Sequence, residues 1–533
     1  MGAGIILKLH GLMDKEAMVF LEIDALLKKI KPLSHYGKRL LSDPKVYFRG
    51  DEQPLRAHYQ RLREVEPLWK DAQKEKIGRC LTELKNISHS LKKIEERELP
   101  SVVDYFEIKK FLFFFKRLAG FLDASPKIGA LYALHFDPIV WDILDPRGSG
   151  QFFFSIDSDY AVELRKQLEQ YRDLEKAGMK RICTKLERLY DLSLKNRMDF
   201  LLERSDIRNH ALRQSDHCSV ISENAFSVHY RVIKSEQDED YSHEIEGLNA
   251  ELDAEEIRYR TQLMEGLSQY VGYLRQQMAN IGELDRDLAM LAYKSQYAAC
   301  LPQITEGENC LFVEAGVNHD ILAFCERKGF IYDPLTIELS EGVTVIVGAN
   351  MGGKTTSLKT IGQFYTAFAL GLPITARRFS STLFDALHCV YRTREEEGLS
   401  GFAMEVKRIR PVFEEGCLLN LIDEFGSATN PKEGDALASS VVKHLSEKES
   451  VSVFVTHFSG PLDYGNKRYQ TGFLRRHGDV ILDGDNIYQY IDHRLEPIEG
   501  TDIPQAAIEI SRALGLPSAV IEGARKIAGI QHD

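Results

Sequence analysis

The sequence predicts an α + α/β protein, in which a long-helix part is followed by an α/β domain with a largely parallel sheet. Three observations carry this expectation. Residues 1–300 are dominated by heptad-like and 3.6-residue apolar periods with few glycines, the pattern of helices. Beyond about residue 300 the texture changes to short β-branched runs punctuated by glycine and alternating with helical stretches, which calls for crossover-connected parallel strands. Within that region VIVGANMGGKTTSLKT (Val345–Thr360) sets a glycine-framed lysine and threonine directly after an apolar strand. The boundary between the two parts is placed near Cys300–Pro302.

Taken in order, AMVFLEIDALLKKI reads as an amphipathic helix in which Phe20 faces the core. DYFEIKKFLFFFKRLAGFL (Asp104–Leu122) is apolar on too many sides for a surface helix and is assigned to the buried centre of the helical part. Tyr160–Leu192 is a long helix of alternating charge. Lys195–Glu244 is weakly periodic, contains the short strand AFSVHYRVI, and ends in the acidic, exposed turn KSEQDEDYSHE. Leu248–Tyr297 reads as one very long helix or two collinear ones, with Leu252, Leu263, Leu274, Leu284 and Leu291 among its apolar positions and Gly266, Gly272 and Gly282 as candidate kinks. Fifty helical residues span roughly 75 Å, a length suited to a strut.

The bulk properties set limits. At 533 residues the chain exceeds a single compact core, and 44% hydrophobic with 28% charged residues is the make-up of an ordinary soluble globular protein. No apolar run approaches the ~20 residues of a membrane span, and MGAGIILKLHGLMDKE has no export-signal pattern. Eight cysteines occur singly with no CxxC pair, which argues for reduced thiols, a cytoplasmic location, and against a zinc site or disulfide framework. A net charge of −12 argues against general polyanion binding, so any nucleic-acid contact must come from a local basic surface.

Gly348-Ala349-Asn350-Met351-Gly352-Gly353-Lys354-Thr355 fits GxxxxGK[ST] between a strand and a helix. Glycines let backbone N–H groups approach phosphate oxygens, and the helix N-terminus adds positive potential. The lysine neutralises β/γ phosphates, and the Thr355 hydroxyl faces Mg²⁺. CLLNLIDE (Cys417–Glu424) is an apolar strand ending in two carboxylates, with Asp423 placed to hold Mg²⁺ and Glu424 to polarise an attacking water. Asn420 inside that strand needs buried partners. The strand VSVFV ends at Thr456-His457, and His457 at such a tip can donate a hydrogen bond to a γ-phosphate.

These residues carry a family resemblance. GANMGGKTT resembles the GPNMGGKST loop of the MutS family, a far more specific pattern than the general phosphate loop. Phe330-Ile331-Tyr332-Asp333-Pro334-Leu335 is similar to the family's FxxNPL stretch, which implies Phe330 as the adenine partner. Ile422–Ala438 resembles the family's DEhGRGTxxxDGxxLA run, and Leu399–Glu405 its STFxxE signature, which implies that Ser400 reaches the γ-phosphate of an opposing subunit. Ile503–Ile527 is like the family's helical C-terminal dimerisation element. The resemblance is strong over roughly 310–530 and weak over the helices.

It implies an ABC-type P-loop NTPase domain over 301–500 after a core and lever domain over 1–300, with a tip or clamp remnant at about 193–245 and a dimerisation element over 501–533. It further implies an ATPase using ATP and Mg²⁺, with Gly348, Asn350, Met351, Gly352, Gly353, Lys354, Thr355, Thr356 and Phe330 at the nucleotide, and Glu424, Lys354, His457 and Ser400 acting in hydrolysis. Departures from the family pattern are Ala349 for proline, Gly401 for threonine and Ser427-Ala428 for Arg-Gly, which bear on hydrolysis rate and communication across a dimer. The chain is expected to lack the mismatch-reading domain, its connector and the nuclease domain of some relatives; the triplet Phe20-Leu21-Glu22 reads as packing.

Two functions remain open at this level. One is an ATP-gated homodimeric or paralogue-paired clamp on double-stranded DNA, related to mismatch repair, using the basic run Lys176, Lys180, Arg181, Lys185, Arg188, Lys195, Arg197, Arg204, Arg208 and Arg213. Those residues are equally read as solvated helix faces balanced by Glu175 and Glu187. The other, implied by resemblance to MutS-like proteins without a mismatch domain, is a reactivating ATPase for a cobalamin-dependent amino-acid mutase such as lysine 5,6-aminomutase. A transporter or chromosome-condensation ATPase fares poorly, since no apolar run is long enough to span a membrane and about seventy residues between Lys354 and Asp423 leave no room for a long coiled coil.

Overall fold

The computed structural model describes residues 9, 11–69, 71–123, 125–156, 158–195, 197–348, 352–392, 401–474, 491–500, 508, 511–512 and 514–528. The chain forms two compact units. One gathers 1–85, 117–135 and 276–533, and the other 86–116 and 136–275.

In the second unit the helix Asp159–Tyr190 begins at a Ser158 cap that accepts from the Ala161 N–H. It runs beside the helix Ser242–Ser268, to which it is tied by Arg165–Glu256 at 3.1 Å. The strand predicted in AFSVHYRVI is Ser227–Val232, the centre of a three-stranded antiparallel sheet between Asp199–Glu203 and Cys218–Glu223. Alternation puts Val228, Tyr230 and Val232 against Ile182, Cys183 and Leu186 of the long helix.

The strut region consists of two helices, Ser242–Ser268 and Val271–Gln296. The interruption falls at Gln269–Tyr270, at none of the three glycines. There the Ser268 hydroxyl donates to the Glu265 carbonyl and Gln269 Nε2 to that of Gly266, so side chains satisfy carbonyls that a continuing helix would use.

In the first unit, AMVFLEIDALLKKI departs from the single helix expected. It splits into Lys15–Phe20 and Ile23–Leu27, with Glu22 at φ 55°. Leu21 and Ile23 are both fully buried, and positions two apart lie on opposite sides of a helix, so the chain turns to bury both.

Six strands form the main sheet of this unit: β1 (Gly342–Gly348), β2 (Ala386–Val390), β3 (Leu418–Asp423), β4 (Val451–Val455), β5 (Lys467–Thr471) and β6 (Glu496–Pro497). Their order is β6-β5-β1-β4-β3-β2, parallel throughout except for the antiparallel edge strand β6. β1, buried at every position, lies near the centre, as expected for a strand covered on both faces. Asn420 on β3 is fully buried and donates to Ser452 Oγ of the neighbouring β4 at 3.1 Å, while its Oδ1 has no partner among the described residues.

Candidate nucleotide site

Because the central strands are parallel, their C-terminal ends meet at one edge. Gly348, Asp423, Thr456 and Thr471 therefore converge there, where a parallel sheet offers its crevice. Gly348 (φ 152°) lies so close to β5 that a Cβ would stand 2.1 Å from the Thr471 carbonyl oxygen. Gly353, at φ 86°, is the N-cap of the helix Lys354–Ala369. Only glycine adopts that geometry without strain, and it leaves the first N–H groups of the helix unblocked. The Thr471 hydroxyl donates to the Gly352 carbonyl at 2.8 Å and pins the loop's far end.

Lys354 is buried, and its ammonium donates to the Gly348 carbonyl at 2.9 Å. Burial draws its pKa below the usual lysine range, against the opposing fields of Glu424 and Asp423. One residue on, the Thr355 hydroxyl donates to Asp423 Oδ2 at 2.9 Å. The other carboxylate oxygen, Oδ1, is buried without a hydrogen-bond partner among the described residues. Burial, reinforced by Glu424, raises Asp423 to about 6, while the Thr355 bond works in the opposite direction. A hydroxyl beside a half-buried carboxylate with one unused oxygen fits a hard divalent cation, which favours oxygen ligands. Glu424 occupies the left-handed region at φ 53°, its N–H bonded to the Val455 carbonyl, so the chain turns sharply after β3.

Phe330, Tyr332, Gly353, Thr356, Thr360 and His493 line a cavity of about 360 Å³ beside the start of the helix. The Phe330 ring meets Phe324 edge-on, leaving an aromatic wall. His457 is exposed after β4, its ring 4.4 Å from that of Phe458. Asn350, Met351 and Ser400 lie outside the described residues.

Sequence reasoning missed two contributors. His493 donates its backbone N–H to Asp333 Oδ2, and its Nδ1 stands 3.2 Å from where a Gly353 Cβ would be. Nothing in IDHRLEP marks it, because its place is created by the fold. Glu405 is buried on the helix Gly401–Ile409 and accepts from the Gly426 N–H at 2.9 Å, which braces the turn after Glu424. Its spacing from Ser400 was legible, its role as a brace was not.

Residues 344–530 match MutS domain V. Over that segment the chain is similar to the MutS family. Endonuclease MutS2 of Lactococcus lactis subsp. cremoris (strain SK11) is 30% identical over 283 residues, covering 52% of this chain and 35% of the relative. Endonuclease MutS2 of Pelotomaculum thermopropionicum is 28% identical over 284 residues, covering 52% and 34%, and that of Fusobacterium nucleatum 30% over 260 residues, covering 46% and 31%. The chain thus spans about a third of the length of the curated relatives it matches.

In the second unit several members of the basic run are engaged by acids. Arg208 pairs with Asp206 at 2.6 Å, and Arg213 and Arg204 with Glu223 at 2.6 and 3.5 Å. No described helix is long and apolar enough to cross a membrane.

Proposed function

We propose that this MutS-like protein binds and hydrolyses ATP in a dimeric site, over the ATPase segment 301–500, and couples closure of that dimer to an action of its long helices on duplex DNA. The Thr355–Asp423 bond beneath Lys354 carries the reading, because it joins the phosphate-loop helix to the carboxylate strand at the crevice of a parallel sheet. In this reading the loop N–H groups and Lys354 bind the phosphates, and the cavity beside Phe330 takes the base. Thr355 and Asp423 would hold a magnesium ion, which when bound neutralises charge on phosphate oxygens. Glu424 accepts the proton of the attacking water, and His457 and Ser400 bear on the γ-phosphate. The name of these relatives, an endonuclease, lends the reading its connection to nucleic acid.

The test uses the full chain. Lys354→Ala is expected to weaken fluorescent ATP-analogue binding by about 100-fold or more. Duplex DNA is expected to raise ATP turnover in the unaltered protein, with an affinity that falls steeply as salt rises. Unchanged nucleotide binding in the variant would overturn the site assignment.

A second reading is favoured by one observation. Arg208 is already paired with Asp206, and Arg204 and Arg213 share Glu223, which leaves less charge for phosphates. In that reading the same ATP cycle remodels a protein, such as a cobalamin-dependent aminomutase. Turnover indifferent to every DNA but raised by the mutase would decide for it.

A further inference from the structure

Four side chains from three distant stretches of the first unit form a layered stack. Lys359 Nζ lies 5.0 Å from the centre of the Phe20 ring. Phe20 is stacked on Tyr391, with centroids 4.1 Å apart and planes 9° from parallel. The Arg408 guanidinium covers the far face of the pile, 4.7 Å from the Tyr391 ring. A carboxylate holds each cation in place: Glu22 is 3.3 Å from Lys359 Nζ, and Glu16 pairs with Arg408. Arg408 Nη1 also donates to the Tyr391 carbonyl at 3.0 Å. Next to the stack, Gln363 Nε2 donates to the Leu21 carbonyl at 2.7 Å. Leu21 packs so closely on Gly362 that a Cβ there would come within 2.5 Å of it.

Each end of the stack leads to the nucleotide site. Lys359 is one helical turn beyond Thr355 on the helix Lys354–Ala369. Arg408 is three residues beyond Glu405 on the helix Gly401–Ile409, and Glu405 receives the Gly426 N–H two residues after Glu424. Phe20 therefore joins the element bearing the phosphate-loop lysine to the element bracing the turn of the proposed base. Core packing alone does not account for it: Phe20 is half-buried, while its neighbours Met18 and Leu21 fill the interior. Two aromatic faces between two cations form an arrangement that depends on ring electrons as well as on volume.

We propose that Phe20 is a positioning residue for ATP hydrolysis, which sets the helix Gly401–Ile409 against the helix Lys354–Ala369 and so fixes Glu424 through Glu405 and Gly426. This rests on the hydrolytic reading of the site. It assigns a task to a triplet, Phe20-Leu21-Glu22, whose sequence suggested packing only.

The experiment compares full-length Phe20→Leu, Phe20→Tyr and Arg408→Met with the unaltered chain, reading kcat and KM for ATP and the thermal midpoint. Leucine keeps most of the volume but removes the ring, and tyrosine keeps the ring. Phe20→Leu and Arg408→Met are expected to lower kcat about tenfold with KM within about twofold, and Phe20→Tyr to stay near the unaltered value. Unaltered kcat in Phe20→Leu, with turnover present in the parent, overturns the positioning role and leaves the hydrolytic reading standing. Equal loss of kcat and thermal midpoint in the leucine and tyrosine variants also overturns it, as plain packing. Absence of turnover in the parent overturns both.

Discussion

The Thr355 hydroxyl and Asp423 Oδ2 are 2.9 Å apart, so the first turn of the helix Lys354–Ala369 and the end of β3 share one contact. This relationship gives a pH prediction. Asp423 moves from 3.8 to about 6 in the folded chain, chiefly through burial. Between those values the folded chain holds more protons than the unfolded one, so stability falls as pH rises through about 4 to 6. Thermal midpoints of metal-free protein should decline across that window. Asp423→Asn should flatten the decline and be more stable at pH 7.5 by about 1–3 kcal/mol. The same variant should lose stabilisation by magnesium, which in the unaltered chain should weaken below about pH 6.

Glu424, the proposed base, occupies a left-handed backbone position directly after β3. Glu424→Gln keeps the side chain's size and removes its basicity. Turnover should fall by about 10²–10⁴ while ATP binding persists, and the variant should accumulate as an ATP-held dimer in size-exclusion chromatography. Unchanged turnover would refute the assignment of the base.

Glu405 is buried, its carboxyl held above the ordinary range by that burial, and it accepts the Gly426 N–H. Glu405→Ala leaves that N–H without an acceptor, at a cost of about 1–3 kcal/mol seen as a lowered thermal midpoint. Glu405→Gln retains an acceptor oxygen and should recover most of the loss. A midpoint unchanged in Glu405→Ala would show that Gly426 finds another acceptor.

Legibility in the sequence followed the range of the interactions. The strands carrying Val345, Leu421 and Val453 were readable from their apolar runs, and the loop at Gly353-Lys354 from residues adjacent in the chain. The strand Ser227–Val232 announced itself by alternation. The split at Glu22 was hidden, because only tertiary burial of both Leu21 and Ile23 forces it. His493 and Glu405 were unreadable as contributors for the same reason: one reaches the cavity from beyond β5, and the other acts on a turn about twenty residues away. Ion pairing in the second unit likewise distinguishes Arg208 from the more exposed Lys180, a difference that a count of basic residues does not contain.

The seam between the chain's early residues and the main sheet has a consequence for biogenesis. Leu12 supplies the carbonyl for the Leu387 N–H, and Tyr47 gives its own N–H to Ala369. At about 5–20 residues per second, translation needs roughly 20–75 s to reach position 387 after position 12. For most of that interval Leu21 and Phe20 await surfaces not yet synthesised, so this segment settles only after the sheet strands that follow it and stays open to chaperones meanwhile.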